Sequence, residues 1–298
     1  MAYGTPSSMD EIEPYLTDVR GGRKPTSEAV EDLKSRYLRI GGRSPLLEIT
    51  REQALALENQ LASGGMRTRV YIGMKHWHPY IREVVPQIIS DGYDRIISLA
   101  LAPHYSQMSV GAYRQALDVA VRSLGRLRTD FVESWYDHPL FHRAVQERIQ
   151  SALRQFAAPE KVELLFTAHS LPERILAAND PYPTQLESSC RSVASLMGRE
   201  EWSFAYQSVG QTNDKWLGPD LIDYLRERYP APSVACVLVV PIGFVADHLE
   251  VLFDIDVEAQ EFARSIGLNL KRTESLNNSP MFISALADIV QERIRSTT

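Results

Sequence analysis

Glu250, Asp254 and Glu258 recur at every fourth position, immediately after the most apolar run of the chain. On a helix this spacing sets three carboxylates in one row about 12 Å long. A row of acids on a helix is commonly a solvated face, and the spacing alone allows that reading. Two details favour a path for a metal ion. No Lys or Arg at i±4 relieves the repulsion, and the row begins at a strand end. A hydrated divalent cation passing along the row would let the acids tolerate one another. His169 follows another apolar run, Leu164-Leu165-Phe166-Thr167-Ala168, and a histidine so placed is by itself more often a structural hydrogen-bonding residue. Paired with Glu250 it offers an imidazole–carboxylate set that suits Fe2+, Zn2+ or Co2+, with either group able to take a proton.

A second set is basic. Arg20, Arg23, Lys24, Arg36, Arg39 and Arg43 fall within 24 residues, interleaved with Tyr37 and Ser44. This is either an ordinary charged surface or a site for a polycarboxylate, since guanidinium forks match carboxylates and hydroxyls complete such contacts. Tyr3, Met74 and Trp77 are available as walls for a flat ring, although such residues also serve as core.

Short β-branched runs at 69–72, 95–101, 162–167 and 234–240 are expected to be buried strands. Helical periodicity occupies 81–89, 110–124, 139–156, 183–197, 221–229 and 280–294. The alternation predicts an α/β chain of two Rossmann-like, doubly wound domains with parallel sheets and helices on both faces. Domain boundaries are expected at 1–148 plus a terminal helix at 280–298, and at 149–279, near the end of a long helix at Ala157-Ala158-Pro159. Ligands of open α/β sheets sit beyond the carboxyl ends of strands, where this chain places Lys75, His76, His104, His169 and Glu250. The opening Met1-Ala2-Tyr3-Gly4-Thr5-Pro6 reads as a strand-to-loop junction without its strand, so an upstream segment is expected; if Met1 is the true start, one sheet lacks a central strand and a less stable first domain is expected.

A chain of 298 residues with 44% hydrophobic and 23% charged residues has the composition of an ordinary globular protein. Its 32 basic and 38 acidic residues give a net charge of −6, which argues against general nucleic-acid binding. Two cysteines, Cys190 and Cys236, exclude a disulfide framework and a cysteine-ligated cluster. The longest apolar stretch, 234–246, is interrupted by Pro241 and Gly243 and is too short for a membrane span. No signal peptide is visible, and a cytoplasmic location is expected. The motifs G-x-S-x-G, H-E-x-x-H, G-x-G-x-x-G and the Walker-type glycine loop are all absent.

Nine ordered motifs carry a resemblance along essentially the whole chain. They are Tyr3-Gly4-Thr5-Pro6, Gly41-Gly42-Arg43-Ser44-Pro45-Leu46, Gly73-Met74-Lys75-His76, Ala102-Pro103-His104-Tyr105-Ser106, Glu133-Ser134-Trp135-Tyr136, His169-Ser170-Leu171-Pro172, Asp180-Pro181-Tyr182-Pro183, Trp216-Leu217-Gly218-Pro219 and Asp247-His248-Leu249-Glu250. Together they resemble the ferrochelatase family, most closely its coproporphyrin-type enzymes of Gram-positive bacteria. Tyr3 discriminates, because protoporphyrin-type relatives resemble Asn-Met-Gly-Gly-Pro at this point.

The resemblance implies a lyase of heme biosynthesis that inserts Fe2+ into coproporphyrin III to give coproheme, from a cleft between two Rossmann-like domains. A protoporphyrin IX ferrochelatase, another tetrapyrrole metal chelatase and a non-catalytic tetrapyrrole carrier stay open as alternatives. By motif matching, His169 and Glu250 form the catalytic, iron-binding pair. Asp254 and Glu258 match the outer metal positions, where a second divalent cation is allowed for. Tyr3 matches a contact to metal or ring on the face opposite His169. Arg20, Arg36, Tyr37, Ser44 and Tyr113 match porphyrin-binding positions, joined by Lys75, His76 and Trp216. Fe2+ is a substrate, no iron–sulfur cluster is expected, and the implied protein is a monomer handing coproheme to a decarboxylase. Gly21 departs from relatives that carry a second arginine there.

Overall fold

The computed structural model describes residues 1–66, 68–122, 124, 127–157, 161–210, 212, 214–233 and 235–296. Expectations touching Ser123, Ala158, Pro159, Val234, Thr297 and Thr298 therefore lie outside the described residues. The chain divides into two compact units: Met1–Trp135 with Ala246–Leu249 and Asn277–Thr298, and Tyr136–Val245 with Glu250–Leu276.

In the first unit, β1 (Arg95–Leu99) and β2 (Arg128–Val132) pair in parallel with Ile97 opposite Asp130. Helices Ile81–Ser90 and Val110–Arg122 bury Val84, Val85, Ile88, Val110 and Leu117 in the core beside this sheet. Ile12–Val19 and Ser27–Arg39 form a second layer around Ile12, Val30 and Tyr37, and the Thr26 side chain caps the latter helix by accepting from Ala29 N–H. Helix Leu46–Ser63 lies along Pro280–Ser296, with Gln60 Nε2 donating to Ser284 Oγ at 3.0 Å.

The strand expected at 69–72 does not form. Its place beside β1 is taken only in part, by the first residues of the chain. Ala2 N–H donates to Gly73 O, while Met1 O accepts from Leu101 N–H, so this short segment pairs on both sides. A cavity of about 370 Å3 is lined by both residues 68–73 and β1, with Leu57, Leu61, Ile88 and Leu286 among its apolar walls. Val70 N–H donates to the Glu58 carboxylate at 2.7 Å rather than to a strand, and an apolar run without a paired backbone does not make a strand.

In the second unit, β3 (Val162–His169), β4 (Ser203–Gln207), β5 (Cys236–Val240) and β6 (Asn269–Arg272) form a parallel sheet in the order β4-β3-β5-β6. The central β3 and β5 are apolar without alternation because both sheet faces are covered, and every residue of β5 is buried. Leu164, Leu165 and Phe166 are fully buried, each such side chain contributing about 1.5–3 kcal/mol. Helices Leu221–Arg228 and Gln260–Ile266 cover one face through Leu221, Leu225 and Ala263. The register places His169 opposite Gln207, at the carboxyl ends of β3 and β4. Residues Val251–Ala259 depart from the expected α-helix: they form a π-helix, in which Gln260 N–H reaches back to Ile255 O.

Candidate active site

His169 ends β3, and Gly243 holds the adjacent backbone. A Cβ on Gly243 would stand 2.5 Å from Ala168 Cβ, so only glycine lets the loop after β5 close against the residue before His169. The imidazole is fixed from several sides. Its Nδ1 donates to Ser170 O, and its own carbonyl accepts from Tyr182 OH at 2.9 Å. Ser170 is locked in turn, its N–H on Gln207 O and its Oγ on Leu217 O.

With Nδ1 occupied, Nε2 is the nitrogen that faces Glu250, 3.5 Å from its Oε1. About a third of each side chain remains exposed, so the pair is accessible as well as held. Burial acts to lower the His169 pKa, but Glu250, the hydrogen bond to Ser170 O and the Asp254 charge together outweigh it and push the value up to about 9. At neutral pH the pair therefore carries a proton. Trp216 and Phe244 flank the imidazole, with ring centroids 6.5 and 6.4 Å away.

The carboxylate row continues from this pair along the π-helix. Asp254 is buried and Glu258 is exposed. Such helices are rare and frequently occur at functional sites. Ser208, in the left-handed region at φ 61°, donates from Oγ to Asp254. Gln207 joins the two halves of the site, accepting from Thr167 Oγ1 at 2.9 Å while its amide nitrogen lies 3.5 Å from Glu250 O. Among the described residues no three His, Cys, Asp or Glu side chains converge on one metal position.

The tetrapyrrole-binding candidates other than Trp216 belong to the first unit. Tyr3 is 41% exposed, and its ring lies against His76 at 4.7 Å between centroids. The Lys75 ammonium sits over both Tyr3 and Tyr113, 5.8 and 5.7 Å from the ring centroids, and burial lowers its pKa. His76 Nδ1 lies 2.8 Å from Asp18 Oδ1; burial keeps its pKa below the ordinary histidine value although Asp18 opposes the shift. Arg20 is exposed at the end of helix Ile12–Val19, and Arg36 pairs with Asp32 one turn away at 3.1 Å.

Tyr37 and Ser44 are buried. The Tyr37 hydroxyl shares a 2.8 Å hydrogen bond with Thr5, and Ser44 Oγ accepts from Leu46 N–H at the start of helix Leu46–Ser63. Gly4, at φ 104°, permits the turn after Tyr3, where a Cβ would meet Trp77 N at 2.8 Å. Asp18, Gln207 and Ser208 are absent from the set that spacing identifies. Asp18 stands 58 positions from His76, and a left-handed Ser has no sequence marker.

No helix among the described residues is long and apolar enough to cross a membrane. The structure of SirB from Bacillus subtilis with Fe3+ aligns with TM-score 0.58 and 13% identity, over 82% of this chain and 88% of that one. CbiX, the terminal enzyme for biosynthesis of siroheme in denitrifying bacteria, gives TM-score 0.54 and 11% identity over 98% and 96%. These likenesses establish the chelatase-type fold. In sequence, the chain is 45% identical over 294 residues to a ferrochelatase of Herpetosiphon aurantiacus, covering 97% of this chain and 96% of that protein. It is 42% identical over 300 residues to a coproporphyrin III ferrochelatase of Geobacillus kaustophilus, covering 98% and 94%. The ferrochelatase family profile matches residues 1–294, and with those identities sustained along almost the whole sequence, this chain belongs to the ferrochelatase family.

Proposed function

We propose that this ferrochelatase inserts Fe2+ into coproporphyrin III, releasing two protons and giving coproheme, as a lyase step of heme formation. The observation that carries the reading is the His169–Glu250 pair, at the end of β3 and the start of the π-helix that also bears Asp254 and Glu258. The substrate follows from relatives named for coproporphyrin III and from Tyr3.

Arg20 and Arg36 supply guanidinium groups for the propionates, with Tyr37 and Ser44 beside them. Tyr3, Lys75, His76, Tyr113 and Trp216 are the remaining residues assigned to the ring. Two pyrrole N–H groups obstruct the centre of a flat porphyrin, so bending the ring turns nitrogen lone pairs toward the metal, at the expense of binding energy from the propionates. Fe2+ enters from exposed Glu258, passes Asp254 and reaches Glu250 and His169, exchanging water for carboxylate and imidazole stepwise.

The proton held between His169 and Glu250 must leave before Nε2 can ligate a cation. Overall, one dication enters and two pyrrole protons depart, which conserves charge at the ring centre. Asp254 and Glu258 also suit a second divalent cation. No iron–sulfur cluster takes part in this scheme. The product passes to a coproheme decarboxylase, and the enzyme works as a cytoplasmic monomer.

Replacing His169 with Ala tests the reading. Insertion is expected to disappear while coproporphyrin still binds, as followed by its absorption spectrum. Near-normal turnover by that variant would remove His169 from the mechanism.

A further inference from the structure

Asp18 occupies an unexpected place. It is the penultimate residue of helix Ile12–Val19, where a negative charge opposes the helix dipole, yet its carboxylate is largely shielded, with 28% of the side chain exposed. Its partners lie elsewhere in the chain. Oδ1 is 2.8 Å from His76 Nδ1, and Oδ2 accepts from Tyr80 OH at 3.3 Å. An acid retained against its own helix, with two donors on one loop, acts on that loop.

The loop carries this action to Tyr3. His76 N–H donates to Tyr3 O at 2.8 Å and Lys75 N–H donates to Ala2 O at 3.0 Å, so the two backbones run side by side. The His76 ring then tilts 55° against the Tyr3 ring at 4.7 Å, and Lys75 covers the same ring. A neutral His76 with its Nδ1–H on Asp18 is fixed in both tautomer and ring plane. Tyr3, 41% exposed, therefore has one wall set by His76 and another by Lys75.

We propose that Asp18 is a positioning residue which, through His76, sets the direction of the Tyr3 ring and thereby places the Tyr3 hydroxyl on the tetrapyrrole. The inference rests on the reading of Tyr3 as a contact to ring or metal. It adds a role for a carboxylate that touches neither.

The test is a double-mutant cycle in the full chain with Fe2+ and coproporphyrin III, using Asp18→Ala, Tyr3→Phe and the double variant. Asp18→Ala alone is expected to lower kcat about tenfold, the order that misplacing one contact costs, with coproporphyrin affinity changed less than about twofold. In the Tyr3→Phe background the same change is expected to cost less than about twofold, because the group being positioned is gone. Asp18→Asn, which still accepts from His76, is expected to restore most of the loss and replaces the Ala variant if that one fails to fold. Equal losses in both backgrounds, or an Asp18→Asn enzyme that folds and is as slow as the Ala variant, would overturn the proposal. No turnover by the wild-type chain would instead overturn the function it rests on.

Discussion

Replacing Glu250 by Gln removes one negative charge 3.5 Å from His169 Nε2 while keeping the side-chain shape. In the wild-type protein the His169 pKa is pushed up to about 9 because Glu250, with Ser170 O and Asp254, outweighs burial. Without that charge, burial acts against the imidazolium and only Ser170 O and Asp254 still favour it, so the value is expected to fall. At pH 7.5 the wild-type ring is about 97% protonated, and the fraction in the variant is expected to be lower. The sign for stability follows from linkage. Folding raises this pKa, so the pair stabilises fully below about pH 6.5 and its contribution fades as pH rises through about 9. A rise from 6.5 to about 9 sets a ceiling of about 3 kcal/mol; solvent screening of side chains about one-third exposed leaves roughly 1–2 kcal/mol. NMR titration of the His169 ring in both proteins, with thermal unfolding on either side of neutrality, reads both quantities. A wild-type His169 that titrates near 6.5, or an unchanged midpoint in Glu250→Gln, would refute the electrostatic argument.

The same proton predicts that binding of a divalent cation at neutral pH releases about one proton from the pair, measurable by calorimetry in buffers of different ionisation enthalpy. Release near zero would place the ion elsewhere. Exchanging both Asp254 and Glu258 for Ala is expected to slow insertion at limiting iron and leave coproporphyrin affinity intact, so unchanged rates would remove the metal path. Tyr37→Phe breaks the buried hydrogen bond to Thr5 and is expected to cost about 1 kcal/mol in urea denaturation. A rise in the KM for coproporphyrin with no stability loss would assign that hydroxyl to the substrate alone. Gly243→Val meets Ala168 at 2.5 Å from its first added carbon and is expected to lose at least 1–3 kcal/mol, roughly, with reduced Tm; normal stability would show that the loop can yield.

The legible parts of the sequence were those where one cause dominates. β3 and β5 are central strands covered on both faces, so each carries a continuous apolar run, Leu164-Leu165-Phe166 in β3 and Cys236–Val240 in β5. β2, β4 and β6 lie at sheet edges and mix exposed or half-buried residues with buried ones, which hides them from periodicity. Residues 69–72 show the opposite failure: the composition suits a strand, but pairing is decided by neighbours distant in sequence. The i, i+4, i+8 spacing of Glu250, Asp254 and Glu258 fits a helix of either width, so the π-helix was hidden in it. His169 and Glu250 were readable because each follows a recognisable strand region. The links that hold such groups, from Asp18 to His76 and from Ser208 to Asp254, cross 58 and 46 positions and leave no local trace.

The most direct measurement is anaerobic incubation of the purified protein with Fe2+ and either coproporphyrin III or protoporphyrin IX, followed through the Soret and Q bands. Rapid multiple turnover with coproporphyrin III and little with protoporphyrin IX is the predicted result. Turnover with protoporphyrin IX alone, or binding of coproporphyrin III without metalation, would contradict the account.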